Sequence, residues 1–419
     1  MLLYIYLGCL CILVGIFLYI RLQWPFWSIQ PVFHIYDVWR YWTRRPFQIQ
    51  YGGALKTKYT DFDHVVTVPF ADLTDERLGH MVDLLQCHYI SSDRILTLID
   101  STAIRALLMG HSHPAYVSFY CEPHYEIVYD GSGSKIKTTI KEIGCMSARP
   151  IRLFLWDYGQ QFAKHSVYFW DHICIHRGHV SKPWTKHLIQ THEYMQRLKN
   201  PDIAVSMFRK EQTLCEGVVP LVQFNIYTFY LHPVRVPPLP THVTVTRITS
   251  KDIGILSDFL YGITNTDQPL FTLCAFPELG SMANLLKDSV WYVYVIRRKD
   301  QIYGMYFLKN ASTNFEDVDQ GNLLECVASV STWSTLRGQG RDLFFAGFLH
   351  SLHDIMSLRG KGDPVYRMIS FTDLAHTGRL LDTWRWKYSP VFENPAAYYI
   401  YNMVVPKMPM TKETCMILL

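Results

Sequence analysis

Asp171–Leu188 (DHICIHRGHVSKPWTKHL) constrains the fold more than any other stretch of the chain. It reads as a buried strand that runs into a small polar loop, with His187, Leu188 and Thr191 at helical spacing behind it. A strand that passes through such a loop into a helix is a building unit of α/β sheets. The same unit aims several backbone N–H groups and the positive end of a helix at an anion, and Arg177, Ser181 and Lys182 add donors and charge.

The chain is long enough to build cores around such a unit. Its 419 residues allow two domains or one large one, and 49% hydrophobic with 15% aromatic residues excludes a disordered chain. A net charge of +4, with no long Lys/Arg run interleaved with aromatics, argues against a nucleic-acid partner. The ten cysteines are scattered, without a CxxC pair or a His/Cys cluster at ligand spacing, so free thiols in a reducing compartment are preferred to disulfides or zinc. His111 and His113, beside Gly110 and Pro114, read as a loop.

Leu2–Ile20 is nineteen residues without a charge, about the length that crosses a bilayer core as a helix. Met1 is followed directly by apolar residues and Arg21 stands at the exit, which favours an uncleaved anchor over a signal peptide. Arg21, Arg40, Arg44 and Arg45 lie on its C-terminal side, and the positive-inside rule then places the folded part in the cytosol. The aromatics of Gln23–Trp42 read as a belt at the membrane interface.

Leu73–Ile90 carries Leu78, Met81, Val82 and Leu85 on one helical stripe. Strands are expected at Tyr116–Tyr120, Glu126–Tyr129 and Ile136–Ile140, with a GSGS turn at Gly131–Ser134, then at Glu142–Leu155, Ser166–Ile175 and Ile203–Phe208. Pro233–Pro240 (PVRVPPLP) is the best domain boundary. Beyond it, Thr246–Tyr261 reads as strand and helix, Trp291–Leu308 as a hairpin, and Leu323–Val330 as a strand leading into a Leu343–Met356 helix.

Three blocks, Trp24–Val32 (WPFWSIQPV), Asp171–Leu188 and Ala396–Leu419, together resemble the N-myristoyltransferase family and occur in that family's order. Phe26, Trp27, Gln30, Pro31 and Val32 match its opening segment. Gly144, Ser147, Ala148 and Pro150 fall where it has the same residue types, Gly217–Val219 matches a Gly-Val-Val turn, and Tyr398, Tyr399, Tyr401, Asn402 and Pro406 match its closing strand. Asp83-Leu84-Leu85 and Tyr89 resemble the helix before its acidic lid loop, which here reads Ser91–Arg94 (SSDR).

The resemblance implies an α/β (α+β) fold of two tandem GNAT-like acyltransferase halves sharing a continuous mixed sheet, preceded by one transmembrane helix. The segments would be an anchor (2–20), an arm contacting acyl-CoA (21–60), an N-terminal half with the acyl-CoA site (61–232) and a C-terminal half with the peptide side and the chain end (241–419). It implies transfer of a myristoyl group from myristoyl-CoA, without a metal, to the N-terminal glycine amine of a peptide or protein. Phe26, Trp27, Arg177, Ser181 and Lys182 would hold the CoA, and Asp171, Tyr89 and Tyr399 the acceptor.

In this scheme the amine attacks the thioester directly, so Cys174 is a core thiol rather than a nucleophile. The backbone N–H groups of His172 and Ile173 would meet the developing oxyanion. The Leu419 carboxylate would take the ammonium proton, and burial would raise its pKa from the ordinary value of about 3.5. Asp171 stands where the family commonly has Asn. Two alternatives stay open: an inactive membrane-anchored binding protein with the same fold, and an acetyltransferase using Leu336–Gly340 (LRGQG) as a phosphate loop.

Overall fold

Pairs of long, alternating or wholly apolar runs bring this chain together as one large sheet. The computed structural model describes residues 2–90, 95–130, 133–157, 161–179, 182–299, 301–315, 321–332, 339–358 and 364–419. In chain order the elements of the first part are α1 (Leu2–Gln23), β1 (Phe47–Gln48), β2 (Val65–Pro69), α2 (Asp75–His88), β3 (Ile95–Thr97), α3 (Ser101–Leu108), β4 (Tyr116–Asp130), β5 (Gly133–Asp157), β6 (Gln161–Ile175), α4 (Trp184–Lys199), β7 (Ser206–Glu211) and β8 (Val222–Tyr230). Residues 231–242 hold no helix or strand. Then come β9 (Val243–Ile248), α5 (Ile253–Thr264), β10 (Leu273–Pro277), α6 (Leu279–Lys287), β11 (Trp291–Arg298), β12 (Gln301–Phe315), β13 (Asn322–Ser331), α7 (Gln339–Ser357), β14 (Tyr366–Thr372), α8 (Thr377–Arg385), β15 (Phe392–Tyr401), β16 (Met403–Val404) and β17 (Cys415–Ile417).

The same motif occurs twice. β4, β5 and β6 form an antiparallel meander, and α4 crosses over to β7, which lies parallel to β6. β11, β12 and β13 repeat it, with α7 crossing to β14, parallel to β13. The closing strands are exchanged between the repeats. β8 pairs with β14, β15 pairs with β7, and β8 and β15 lie side by side, so one mixed sheet runs through both. The chain end adds to the first repeat: β17 lies parallel to β10, which pairs with β5.

Helices cover this sheet where their apolar faces require it. Leu78, Met81 and Leu85 of α2 are buried, as their spacing predicts, Leu84 is buried with them and Val82 only partly so, and the helix is capped by the Thr74 side chain accepting the Arg77 N–H. α3 and α6 meet closely enough to need glycine at both Gly110 and Gly280. A Cβ on Gly280 would stand 2.5 Å from the Gly110 carbonyl oxygen, and Gly110 has φ +83°. α1 is apolar on all sides and exposed, and Tyr4–Gln23 is long and apolar enough to cross a membrane. Two expectations are refined: Tyr116–Tyr120 and Glu126–Tyr129 are one strand, β4, and Ile136–Ile140 and Glu142–Leu155 are one strand, β5, which passes through Pro150 without ending.

Candidate active site

The backbone at the end of β6 departs from the regular ladder. Ser147 of β5 faces Asp171 and Cys145 faces Cys174, so His172 and Ile173 together stand opposite the single residue Met146. This is a β-bulge, a feature that disrupts ladder hydrogen bonding and re-aims side chains. His172 accommodates it with φ +54°, rare for a residue with a Cβ. The parallel partner leaves at the same level, since β6 and β7 are in register only from Tyr168–Ser206 to Trp170–Phe208. Asp171, His172 and Ile173 therefore sit where two parallel strands part.

A cavity of about 110 Å³ opens beside the bulge. Asp171 and His172 line it from β6, Leu85 and Tyr89 from the end of α2, and Lys309 and Asn310 from β12. Ile173, partly buried against the neighbouring aromatic cluster, is not part of the lining. The His172 ring is fixed by Ser147, with Nδ1 2.8 Å from Oγ, and its backbone N–H donates to Asp171 Oδ1 at 2.9 Å. The N–H expected to face an oxyanion is thus held by the neighbouring carboxylate.

Charges gather around Asp171. Arg149, on β5, is 1% exposed, and its NH1 nitrogen lies 3.6 Å from Asp171 Oδ2 while the guanidinium sits over the Phe169 ring. None of its three nitrogens has a hydrogen-bond partner among the described residues. Lys309 faces Glu325 directly across the β12–β13 ladder, and Glu325 accepts two hydrogen bonds from Arg209, each 3.1 Å.

Burial by itself would raise the Asp171 carboxyl, but His172, Arg149 and Lys309 together bring it down to about 2. Burial pushes the His172 imidazole below its ordinary value, so at neutral pH the ring is uncharged. Its effect on Asp171 there is the N–H hydrogen bond, and the acting cations are Arg149 and Lys309. Burial likewise lowers the Lys309 ammonium, against the pull of Glu325 and Asp171. Burial and the Asp171 charge raise the Tyr89 phenol, whose ring lies 6.3 Å from that of His172.

Solved structures share this arrangement of strands. Saccharomyces cerevisiae N-myristoyltransferase with bound myristoyl-CoA superposes at TM-score 0.66 and 11% identity, covering 93% of this chain and 90% of that one. The chain has the N-myristoyltransferase fold. A second structure of the yeast enzyme with myristoyl-CoA gives TM-score 0.64 and 11% identity over 94% of both chains. A third, with myristoyl-CoA and inhibitors, gives 0.64 and 12%, covering 94% of this chain and 91% of that one. No protein-family model matches the chain, and no curated protein matches it by sequence.

Within the N-myristoyltransferase fold, the residues expected to hold CoA lie on two elements. Phe26 is buried between Trp27 and Tyr59, ring centroids 5.0 and 5.2 Å away, and Trp27 stacks on Phe208 at 5.7 Å. Gln30 anchors this arm by bonding the Gln190 and Tyr401 side chains. In the loop before α4, Arg177 donates to the Ile90 carbonyl at 2.6 Å and Lys182 lies over the Trp184 ring. The N–H groups of Gly178 and Lys182 are taken up by the His176 ring and the His179 carbonyl. Ser181, the lid segment Ser91–Arg94 and Leu336–Gly338 of LRGQG lie outside the described residues.

The other expected residues are dispersed. Tyr399 stacks on Phe208 at 5.2 Å, its hydroxyl accepts the Cys215 N–H, and it is not part of the cavity lining. Leu419 is buried in the core cluster that includes Phe169 and Tyr398, and Leu418 N–H bonds the Ala275 carbonyl, but Leu419 does not line the cavity either. Arg149 and Lys309 were not anticipated as site residues. The available signal is a charged residue within a mostly apolar strand run, SARPI and YFLKN.

Proposed function

We propose that this chain transfers a long-chain acyl group, with myristoyl-CoA as donor, to the N-terminal glycine amine of a peptide or protein. The observation that carries this reading is the bulge at His172–Ile173, placed where β6 and β7 part and beside a cavity lined by Asp171. A bulge there takes backbone donors out of the ladder, where they can meet an oxyanion. Asp171 is ionised at neutral pH and is matched to an ammonium. The amine attacks the thioester carbon, the C–S bond breaks, and a buried Leu419 carboxylate accepts the proton that the ammonium gives up. Phe26 and Trp27 of the arm, and Arg177 and Lys182 of the loop before α4, would hold the CoA.

Tyr4–Gln23 supports a membrane anchor. Trp39 and Trp42 are exposed soon after it, beside exposed Arg44 and Arg45, as residues at a lipid interface would be. Their basic flank supports a cytosolic site.

One observation favours the inactive alternative. The His172 N–H bonds Asp171, and Gly178 and Lys182 N–H groups bond within their own loop, so fewer donors await the donor molecule. Incubation with myristoyl-CoA and a library of glycine-initiated peptides, read by released thiol and product mass, separates the two. Acylated peptide supports the enzyme; tight myristoyl-CoA binding without product supports the binding protein.

A further inference from the structure

Three imidazoles gather where β6 gives way to the loop before α4. The ring of His88, the last residue of α2, lies 4.1 Å from that of His176, and the His179 ring lies 5.6 Å from His176. All three are partly buried. The β4–β5 ribbon continues past the last pair it makes with β6, Gly144 with Ile175, and so carries Glu122 and Lys141 out beside the loop. Glu122 stands 3.7 Å from His179 Nδ1, beyond hydrogen-bond reach, and Lys141 is near enough to act on His88 and His176.

Positive charge is in excess here. Lys141 and Arg177 are exposed cations. Of the carboxylates alongside, Glu142 is taken by Arg77 at 2.8 Å and His80 at 3.0 Å, and Glu122 faces Lys141 across the ladder. The Nδ1 atoms of His88 and His179 are buried without a hydrogen-bond partner among the described residues. His176 Nδ1 accepts the Gly178 N–H at 3.1 Å, which puts the proton of the neutral ring on Nε2. Burial and neighbouring cations hold His88 and His176 below the ordinary imidazole value, so both rings are uncharged in the free chain at neutral pH. An anion placed among them reverses that balance, because it accepts their N–H groups and favours the imidazolium.

The N–H groups of Gly178 and Lys182 are engaged within the loop, so side chains must supply donors to any phosphate bound there. We infer that His88, His176 and His179, with Lys141, form a phosphate site for the CoA of the acyl donor, and that the site fills by taking up protons. This inference rests on the acyl-CoA reading of the loop and names side chains that meet the phosphates. Donor binding is then linked to pH. Each proton taken up tightens binding by up to about tenfold for every unit that the pH falls.

The test measures binding of myristoyl-CoA and of myristoyl-dephospho-CoA to the full chain in lipid nanodiscs, by calorimetry between about pH 8 and 6 in two buffers of different ionisation enthalpy, with empty nanodiscs as the blank. The dephospho form keeps the diphosphate and lacks the phosphate monoester, which itself titrates near pH 6. The expected result is uptake of about one proton per donor bound and a Kd about tenfold lower at the acid end, for one or both ligands. Most of that change should disappear in the double variant His88→Gln with His179→Gln, and the unmodified chain decides even if that variant does not fold. A Kd that does not tighten on acidification for either ligand, without proton uptake, would overturn the inference and leave the donor reading intact. The same pH dependence in a folded double variant would also overturn it. Binding of neither ligand at any pH would remove both readings.

Discussion

Asp171 Oδ1 accepts the backbone N–H of His172 at 2.9 Å while Oδ2 lies 3.6 Å from NH1 of buried Arg149. One carboxylate thus fixes the bulge and lies against a guanidinium that has no hydrogen-bond acceptor among the described residues. Asp171→Asn should keep the N–H acceptor but lose the charge. Stranding Arg149 is expected to cost about 3 kcal/mol, and replacing both, Asp171→Asn with Arg149→Leu, should recover most of it. A double-mutant cycle from denaturant unfolding reads this directly, and additive single effects would show that the two side chains are not coupled.

Stability should fall on mild acidification. Burial lowers His192 to about 3, against the pull of Gln196, and lowers His376 to about 4. Their unfolded imidazoles protonate near 6.5, so below that pH the unfolded chain binds more protons. The stability is fully present above 6.5 and is lost as the pH drops towards 4, at roughly 1.4 kcal/mol per pH unit for each histidine. Asp171 adds a later loss: its contribution holds above 3.8 and vanishes as the pH falls through 2. Thermal unfolding between pH 7.5 and 5 should show a Tm that declines from about 6.5 downward. A flat profile would contradict the buried neutral histidines.

The chain end offers a separate test. Leu419 is 3% exposed and stands two residues beyond the last residue of β17. Adding one glycine after Leu419 moves the carboxylate out of its buried place and should lower acyl transfer by about a hundredfold, the size of a lost general base. Unchanged turnover would remove Leu419 from the mechanism.

Cys174 Sγ donates to the Leu84 carbonyl at 3.4 Å, within the core and directly across the ladder from Cys145. Because attack is by the substrate amine, Cys174→Ala should keep transfer within about threefold. Loss of activity in a folded variant, or a mass adduct of one acyl chain on the protein, would contradict direct attack.

Much of this architecture can be read from the sequence, because strands and helices announce themselves by period. The α2 stripe, the β11–β12 hairpin and the strand entering Asp171 follow from local pattern. The exchange of β8 and β15 does not, since both are apolar strands that suit either repeat and only tertiary packing chooses between them. The bulge leaves no mark because His172 and Ile173 carry no glycine or proline. The Arg149–Asp171 pair joins residues 22 apart by cross-strand register, and Lys309 reaches the same cavity from the other repeat. Of the residues that the resemblance singles out, Asp171, His172 and Tyr89 line the cavity, while Tyr399 and Leu419 lie in packed core clusters.

Acyl transfer at the β6 bulge is tested most directly by following amide product and free CoA thiol together, with myristoyl-CoA and an amine acceptor added to the full-length chain. The account predicts one thiol released for each amide formed, with the acyl group on the acceptor nitrogen. Thiol release without amide, or myristoyl-CoA bound tightly with neither product, would contradict it.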